Sequence, residues 1–231
     1  MRILKNLWIL AKSGFTQEVE KTFREKVNFL LRLFLVLLIF KIIYFTSTYL
    51  IKTIDAINFP VVSTEFEMDT YAGIYQFLIL AIFLPIIEEL TFRLGLKFTK
   101  WNFVIMFTGL TFISLKILFK LGWVTSITIG AVSTIVFSIL LKKQILEKLT
   151  EFWKNNRLVI FYFLLICFST LHLSNYELNY SSLLYVPILF LPHFFTGLIF
   201  SYARLESGII LSISLHILNN ALISFPILLT G

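Results

Sequence analysis

Leu84-Pro85-Ile86-Ile87-Glu88-Glu89-Leu90-Thr91-Phe92-Arg93 sets three charged side chains inside the apolar run 71–97. A helix needs about 20 apolar residues to cross a bilayer, and this run is long enough. A charge at the middle of such a helix costs roughly 2.5–3.5 kcal/mol for Asp, Lys or Arg, and it is usually functional. Glu89 and Arg93 stand four apart, so they share a helix face within ion-pair reach. Two carboxylates beside a guanidinium can supply a general base near neutrality. The bland reading of the same residues is an interhelical anchor. Pro85 interrupts the backbone ladder one turn before Glu88 and is expected to bend the helix.

Outward from this stretch, the whole chain has the same character. Of 231 residues, 58% are hydrophobic and 14% charged, whereas soluble domains carry about 25% charged residues. The reading is an all-α, polytopic membrane helical bundle of about seven transmembrane helices. The spans fall near 30–51, 71–97, 102–120, 123–141, 158–174, 184–203 and 208–229. Between them lie an acidic loop from Asp55 to Asp69, a basic connector from Lys142 to Arg157 and a tight turn at Arg204–Gly208. Leu121-Gly122 joins spans three and four as a hairpin. Residues 1–29 form a basic N-terminal segment, read as an interfacial helix or a loose tail, and 30–231 form one membrane domain. No signal peptide is read at the N-terminus, because the apolar stretch is short and no small-residue cleavage site follows.

The net charge of +7 is accounted for by orientation, without nucleic acid as a partner. Lys and Arg collect before span one, between spans two and three, and after span four, which places the N-terminus in the cytoplasm. Lys41, near the middle of span one, reads as a side chain snorkelling toward water. The alternative pairs it with an acid inside the bundle. The single cysteine, Cys167, reads as packing.

Two more polar constellations lie in later spans. Phe168 and His172 share a face at the end of span five, and His216 and Asn220 share one in span seven. An imidazole and an amide presented together can hydrogen-bond a developing oxyanion. Their bland role is an interhelical hydrogen bond worth about 0.6 kcal/mol.

Taken in order, Glu88-Glu89-x-x-x-Arg93, Phe168-x-x-x-His172 and His216-x-x-x-Asn220 resemble the motifs of the CPBP intramembrane proteases. That family includes the CAAX prenyl endopeptidases and proteins of bacteriocin processing or immunity labelled Abi. Gly197–Tyr202 and the turn Glu206-Ser207-Gly208 resemble the segment before the last motif. The resemblance covers residues 71–229 and implies an intramembrane endopeptidase that hydrolyses a membrane-associated protein or peptide. By it, Glu88 activates water with His172, His216 and Asn220 steady the oxyanion, and Glu89 and Arg93 hold the glutamate helix. No organic cofactor is implied, and a divalent metal such as zinc is left open, since the His-Glu-x-x-His pattern is absent. The expected location is a membrane, the bacterial cytoplasmic (inner) membrane, with the lipid bilayer and the substrate as partners. Prenylated substrates belong to one branch of the family only.

The alternative function is a catalytically silent scaffold or immunity protein that binds a membrane partner. A proton-coupled transporter would show pseudo-symmetric halves, which the sequence lacks. Two features depart from the family pattern. Glu88 and His172 are 84 positions apart, so residues 101–141 read as an inserted helical hairpin. Depth counting at about 1.5 Å per residue also places His172 near the outer end of its helix and His216 near the inner end of its own. His193, after Pro192, is a rival for the middle motif, although Leu189 stands where a phenylalanine would be.

Overall fold

The computed structural model describes residues 2–54, 59–62, 72–117 and 119–230. The acidic loop Asp55–Asp69 therefore lies outside the described residues, apart from 59–62. The architecture is all-α, with one two-residue antiparallel pairing of β1 (Val61–Val62) with β2 (Tyr176–Glu177). Helices α1 (Arg2–Ser13) and α2 (Phe23–Ile54) come first. The motif run then divides into α3 (Gly73–Leu78), a π-helical turn (Ile79–Phe83) and α4 (Leu84–Phe92). Helices α5 (Lys100–Ile117) and α6 (Trp123–Leu140) form the hairpin, followed by α7 (Lys143–Asn155). The remainder is α8 (Arg157–Leu171), α9 (Val186–Ser207), α10 (Ile209–Ser224) and α11 (Ile227–Thr230).

Among the described residues, four helical stretches are long and apolar enough to cross a membrane: Phe23–Ile54, Trp123–Leu140, Arg157–Asn175 and Ser181–Ser207. The chain is thus an integral membrane protein by length and composition. The other expected spans correspond to the interrupted run α3–α4, to α5 and to the 16-residue α10. Helix α4 lies at the centre, packed against α5, α8 and α10, while α9 packs against α2, α8 and α10. The expected five-residue turn before span seven is shorter in fact. Helix α9 runs through Ser207, and Gly208 alone, at φ +97°, reverses the chain into α10. That left-handed conformation suits a residue without Cβ.

The basic connector is also helical. On α7 no residue is fully buried, and Trp153 Nε1 donates to the Gly95 carbonyl at 2.8 Å, tying the helix to the turn after Arg93. Helix α1 buries Leu7 and Leu10 while Leu4, Trp8 and Ile9 stay exposed. Asn6 Nδ2 donates to Tyr202 Oη at 2.9 Å, and Tyr162 Oη to the Ala11 carbonyl at 2.7 Å. Residues 14–22 then cross the helix ends. Glu18 meets Lys97 and Lys21 meets Glu206, each at 2.7 Å, and the Val19 amide donates to the Glu206 carbonyl at 3.0 Å. Lys97 bonds the Glu18 carboxylate directly and holds it below the usual carboxylate range.

Candidate active site

The π-helical turn before the glutamates has a local chemical cause. Leu84 N–H bonds back five residues to the Ile79 carbonyl, and the next donor would be Pro85, which has no N–H. The Leu80 carbonyl is left free by that gap, and Asn220 Nδ2 donates to it at 3.1 Å. The expected effect of Pro85 is therefore realised as a π turn, and the free carbonyl orients one of the motif residues. Asn219 Nδ2 donates to Asn220 Oδ1 at 3.0 Å and fixes the other side of the same amide.

Glu89 is fully enclosed and serves as the hub. His216 Nδ1 lies 3.0 Å from Glu89 Oε1, Ser212 Oγ donates to Glu89 Oε2, and Arg93 Nε is 3.6 Å from Oε1. A carboxylate only accepts, so Nδ1 of His216 carries the proton and Nε2 points the other way, toward Glu88. Arg93 is buried too, with its guanidinium carbon 3.7 Å from the Phe168 ring centroid and 5.7 Å from that of Phe200. Its two terminal nitrogens have no hydrogen-bond partner among the described residues. The aromatic faces and Glu89 thus carry that charge between them. Gly197 lets Arg93 in, because a Cβ there would lie 2.9 Å from Arg93 Nη2 and 2.7 Å from Leu165 Cδ1.

Glu88 is different. Its Oε2 has no hydrogen-bond partner among the described residues and lies 3.6 Å from His216 Nε2 and 3.9 Å from His172 Nε2. Those gaps exceed a direct hydrogen bond and are of the size a bridging water fills. His172 Nδ1 donates to the Phe168 carbonyl at 2.9 Å, so its Nε2 offers a lone pair toward the same space. Phe168 also presents its ring edge-on to His172, with centroids 4.6 Å apart. The side chains of Glu88 and His172 are 14% and 16% exposed, against 0% for Glu89. The Glu88 and His172 side chains are thus less enclosed than Glu89, although Glu88 Oε2 itself is buried.

All six motif residues, Glu88, Glu89, Arg93, His172, His216 and Asn220, thus lie around one polar cluster. The depth expected for His172 is corrected by this geometry. The first turns of α8 pack on the N-terminal segment, with Gly14 against the backbone of Leu158. His172 and His216 both approach Glu88 Oε2, at 3.9 and 3.6 Å, so the two imidazoles stand at one level. His193 is a neighbour of His172, their rings stacked at 4.0 Å and 22°. Ser212 was not among the expected residues, although Ser212, His216 and Asn220 recur at four-residue spacing on one face. Among the described residues, no group of three or more His, Cys, Asp or Glu side chains is arranged to hold a metal ion.

A search of curated proteins and a search of solved structures find no match. The family described as Type II CAAX prenyl endopeptidase Rce1-like matches residues 70–222, a range that holds every residue of the cluster. It is a protease family and agrees with the resemblance read from the motifs. With two thirds of its length matched, the chain belongs to the Type II CAAX prenyl endopeptidase Rce1-like family.

Proposed function

We propose that the chain is an intramembrane endopeptidase with Glu88 as its general base. The observation that carries this reading is the unpartnered Glu88 Oε2, facing the Nε2 atoms of His172 and His216 across water-sized gaps. A water in that space donates one hydrogen to Glu88 and the other to His172 Nε2, which leaves its lone pair free for attack. As the oxygen adds to the scissile carbonyl, its proton passes to Glu88. The oxyanion is met by Asn220, whose amide is pinned by Leu80 and Asn219, and by His216. For that role Nε2 of His216 must carry a proton as well as Nδ1, and Glu89 is the counter-charge of the resulting imidazolium. Glu88 then returns its proton to the departing amine, the C–N bond breaks, and a carboxylic acid and an amine result.

In this scheme His172 Nε2 acts on the water and His216 Nε2 on the oxyanion, and no step calls on a metal. A zinc ion remains testable by chelation. The proposal takes the N-terminus as cytoplasmic, from the charge distribution, with about seven spans, residues 1–29 as an interfacial helix or a tail, and residues 101–141 as an inserted hairpin. The substrate is a membrane-associated protein or peptide, with prenylated CAAX peptides the first to try, as the family's name suggests. The test uses protein reconstituted in liposomes with such peptides. Cleavage by the wild-type protein that disappears in Glu88→Ala and His172→Ala supports the reading, and cleavage retained by Glu88→Ala removes Glu88 as base.

A further inference from the structure

His193, Gly197 and Phe200 stand at the i, i+4 and i+7 positions of one face of α9, and that face meets the polar cluster. The His193 ring lies on that of His172, with centroids 4.0 Å apart and planes at 22°. Phe200 lies on the other site imidazole in the same manner, 4.3 Å and 30° from His216. Between the two rings, Gly197 leaves room for Arg93 and Phe168, since a Cβ there would lie 2.9 Å from each. The face thus presents a flat ring, a gap and a second flat ring, and each ring backs one imidazole.

Helix register produces the first of these contacts. Gly197 meets Phe168, and His193, one turn earlier on α9, meets His172, one turn later on the α8 side. The two strips of residues therefore run past each other in opposite directions, at a separation that Gly197 keeps short. The imidazoles they back are not equally held. His216 is buried within α10, and its Nδ1 is bound to the Glu89 carboxylate at 3.0 Å. His172 follows the last residue of α8 and opens the tighter turn His172–Asn175, and its Nδ1 has only the neutral Phe168 carbonyl, at 2.9 Å. A hydrogen bond to an ionised group is about twice as strong as a neutral one, so His172 depends more on what packs against its ring. Rotation about its Cβ–Cγ bond would turn Nε2 away from Glu88 Oε2, 3.9 Å distant, and a flat ring against the imidazole face opposes that rotation.

We infer that His193 is a positioning residue of the proposed hydrolysis: its ring is the plate against which His172 is held with Nε2 toward Glu88. The inference rests on reading the cluster as a peptidase site. What His193 supplies is its flat face, because Phe200 backs His216 with no ring nitrogen at all. Phenylalanine should therefore serve at position 193, and a side chain of similar bulk without a plane should not.

The experiment compares wild-type, His193→Phe and His193→Leu full-length proteins in liposomes, on prenylated and unprenylated peptides. A displacement of about 1 Å in a reacting group costs about 10²-fold, so His193→Leu should lose about 10- to 100-fold in kcat at unchanged KM, and His193→Phe should stay within about threefold of wild type. The ring itself is read separately. The chain has three histidines, so protein labelled with carbon-13 at histidine gives three imidazole signals in its NMR spectrum, and that of His172 is the one lost in His172→Gln. Stacking moves the ring protons of His172 upfield, a shift expected in the wild-type protein and in His193→Phe and absent from His193→Leu. Wild-type kcat in His193→Leu, or an unmoved His172 signal in it, overturns the positioning role. Equal loss of kcat in His193→Phe and His193→Leu also overturns it, since the ring nitrogens would then be needed, and so does a change confined to KM. In all these outcomes the wild-type protein still cleaves, and the peptidase reading stands. Cleavage of no peptide by the wild-type protein counts against the peptidase reading itself, and the positioning role falls with it.

Discussion

Glu88 and Glu89 are adjacent and chemically identical, yet the same substitution at each should have different consequences. Glu89→Gln removes the charge from a carboxylate that is fully enclosed and holds His216, Ser212 and Arg93. It strands Arg93, whose terminal nitrogens have no hydrogen-bond partner among the described residues. Breaking a buried ion pair by removing one partner costs about 3–5 kcal/mol, so Glu89→Gln should be destabilised by that order. Glu88→Gln loses no protein hydrogen bond at Oε2. A single hydrogen bond is worth about 0.5–1.5 kcal/mol, so its stability should change by less than about 1 kcal/mol. Activity should nevertheless fall about 10²–10⁴-fold in Glu88→Gln, the range for loss of a general base. Denaturant unfolding in detergent, followed by tryptophan fluorescence, gives the stabilities, and peptide cleavage in liposomes gives the rates. Glu89→Gln unfolding at the wild-type midpoint, or Glu88→Gln destabilised by more than about 2 kcal/mol, would refute the division of labour between hub and base.

Three further outcomes are expected. Gly197→Ala should cost about 1–3 kcal/mol by overpacking, because the new Cβ would lie 2.9 Å from both Phe168 Cδ1 and Arg93 Nη2. Activity should fall with it, since Phe168 positions His172, and wild-type kcat with wild-type stability would contradict this. Prolonged dialysis against a chelator should leave cleavage unchanged, whereas loss restored by added zinc would recast His172, His216 and Glu88 as ligands. The Glu18–Lys97 tie across the helix ends depends on a carboxylate held below its ordinary range. Its stabilisation is present above the unfolded carboxylate pKa of about 4.3 and is lost as pH falls through the lower folded value. Hydrogen exchange at the Val19 amide should therefore quicken relative to the unfolded peptide in acid, and at neutral pH in Glu18→Gln. Equal protection in all three conditions would show that the tie holds nothing.

What was legible in the sequence was helical periodicity. Glu89 with Arg93, Phe168 with His172 and His216 with Asn220 are pairs at four-residue spacing, and a helix puts each pair on one face whatever the tertiary packing. The three faces meet around Glu88. The residues that were missed depend on neighbours distant in the chain. Ser212 had a readable signal one turn before His216, but its partner Glu89 lies 123 positions away. His193 was visible only as a competitor of His172, because stacking between two helices leaves no trace in either one's spacing. Which face of α2 meets the bundle is likewise decided by α9 and α10, far along the chain. Depth counting set His172 and His216 apart because it took each span as an ideal perpendicular helix, whereas both imidazoles reach Glu88. The π turn followed from Pro85, but its use as an acceptor for Asn220 needed the fold.

If Glu88 delivers water to a peptide bond, oxygen from that water must end in the product. Wild-type and Glu88→Gln proteins in liposomes are incubated with prenylated and unprenylated peptides in water enriched in oxygen-18. Mass spectrometry then reads the new carboxyl end. One oxygen-18 atom is expected in the product of the wild-type protein, and no product above background from Glu88→Gln. Labelled product formed by Glu88→Gln at the wild-type rate would contradict it.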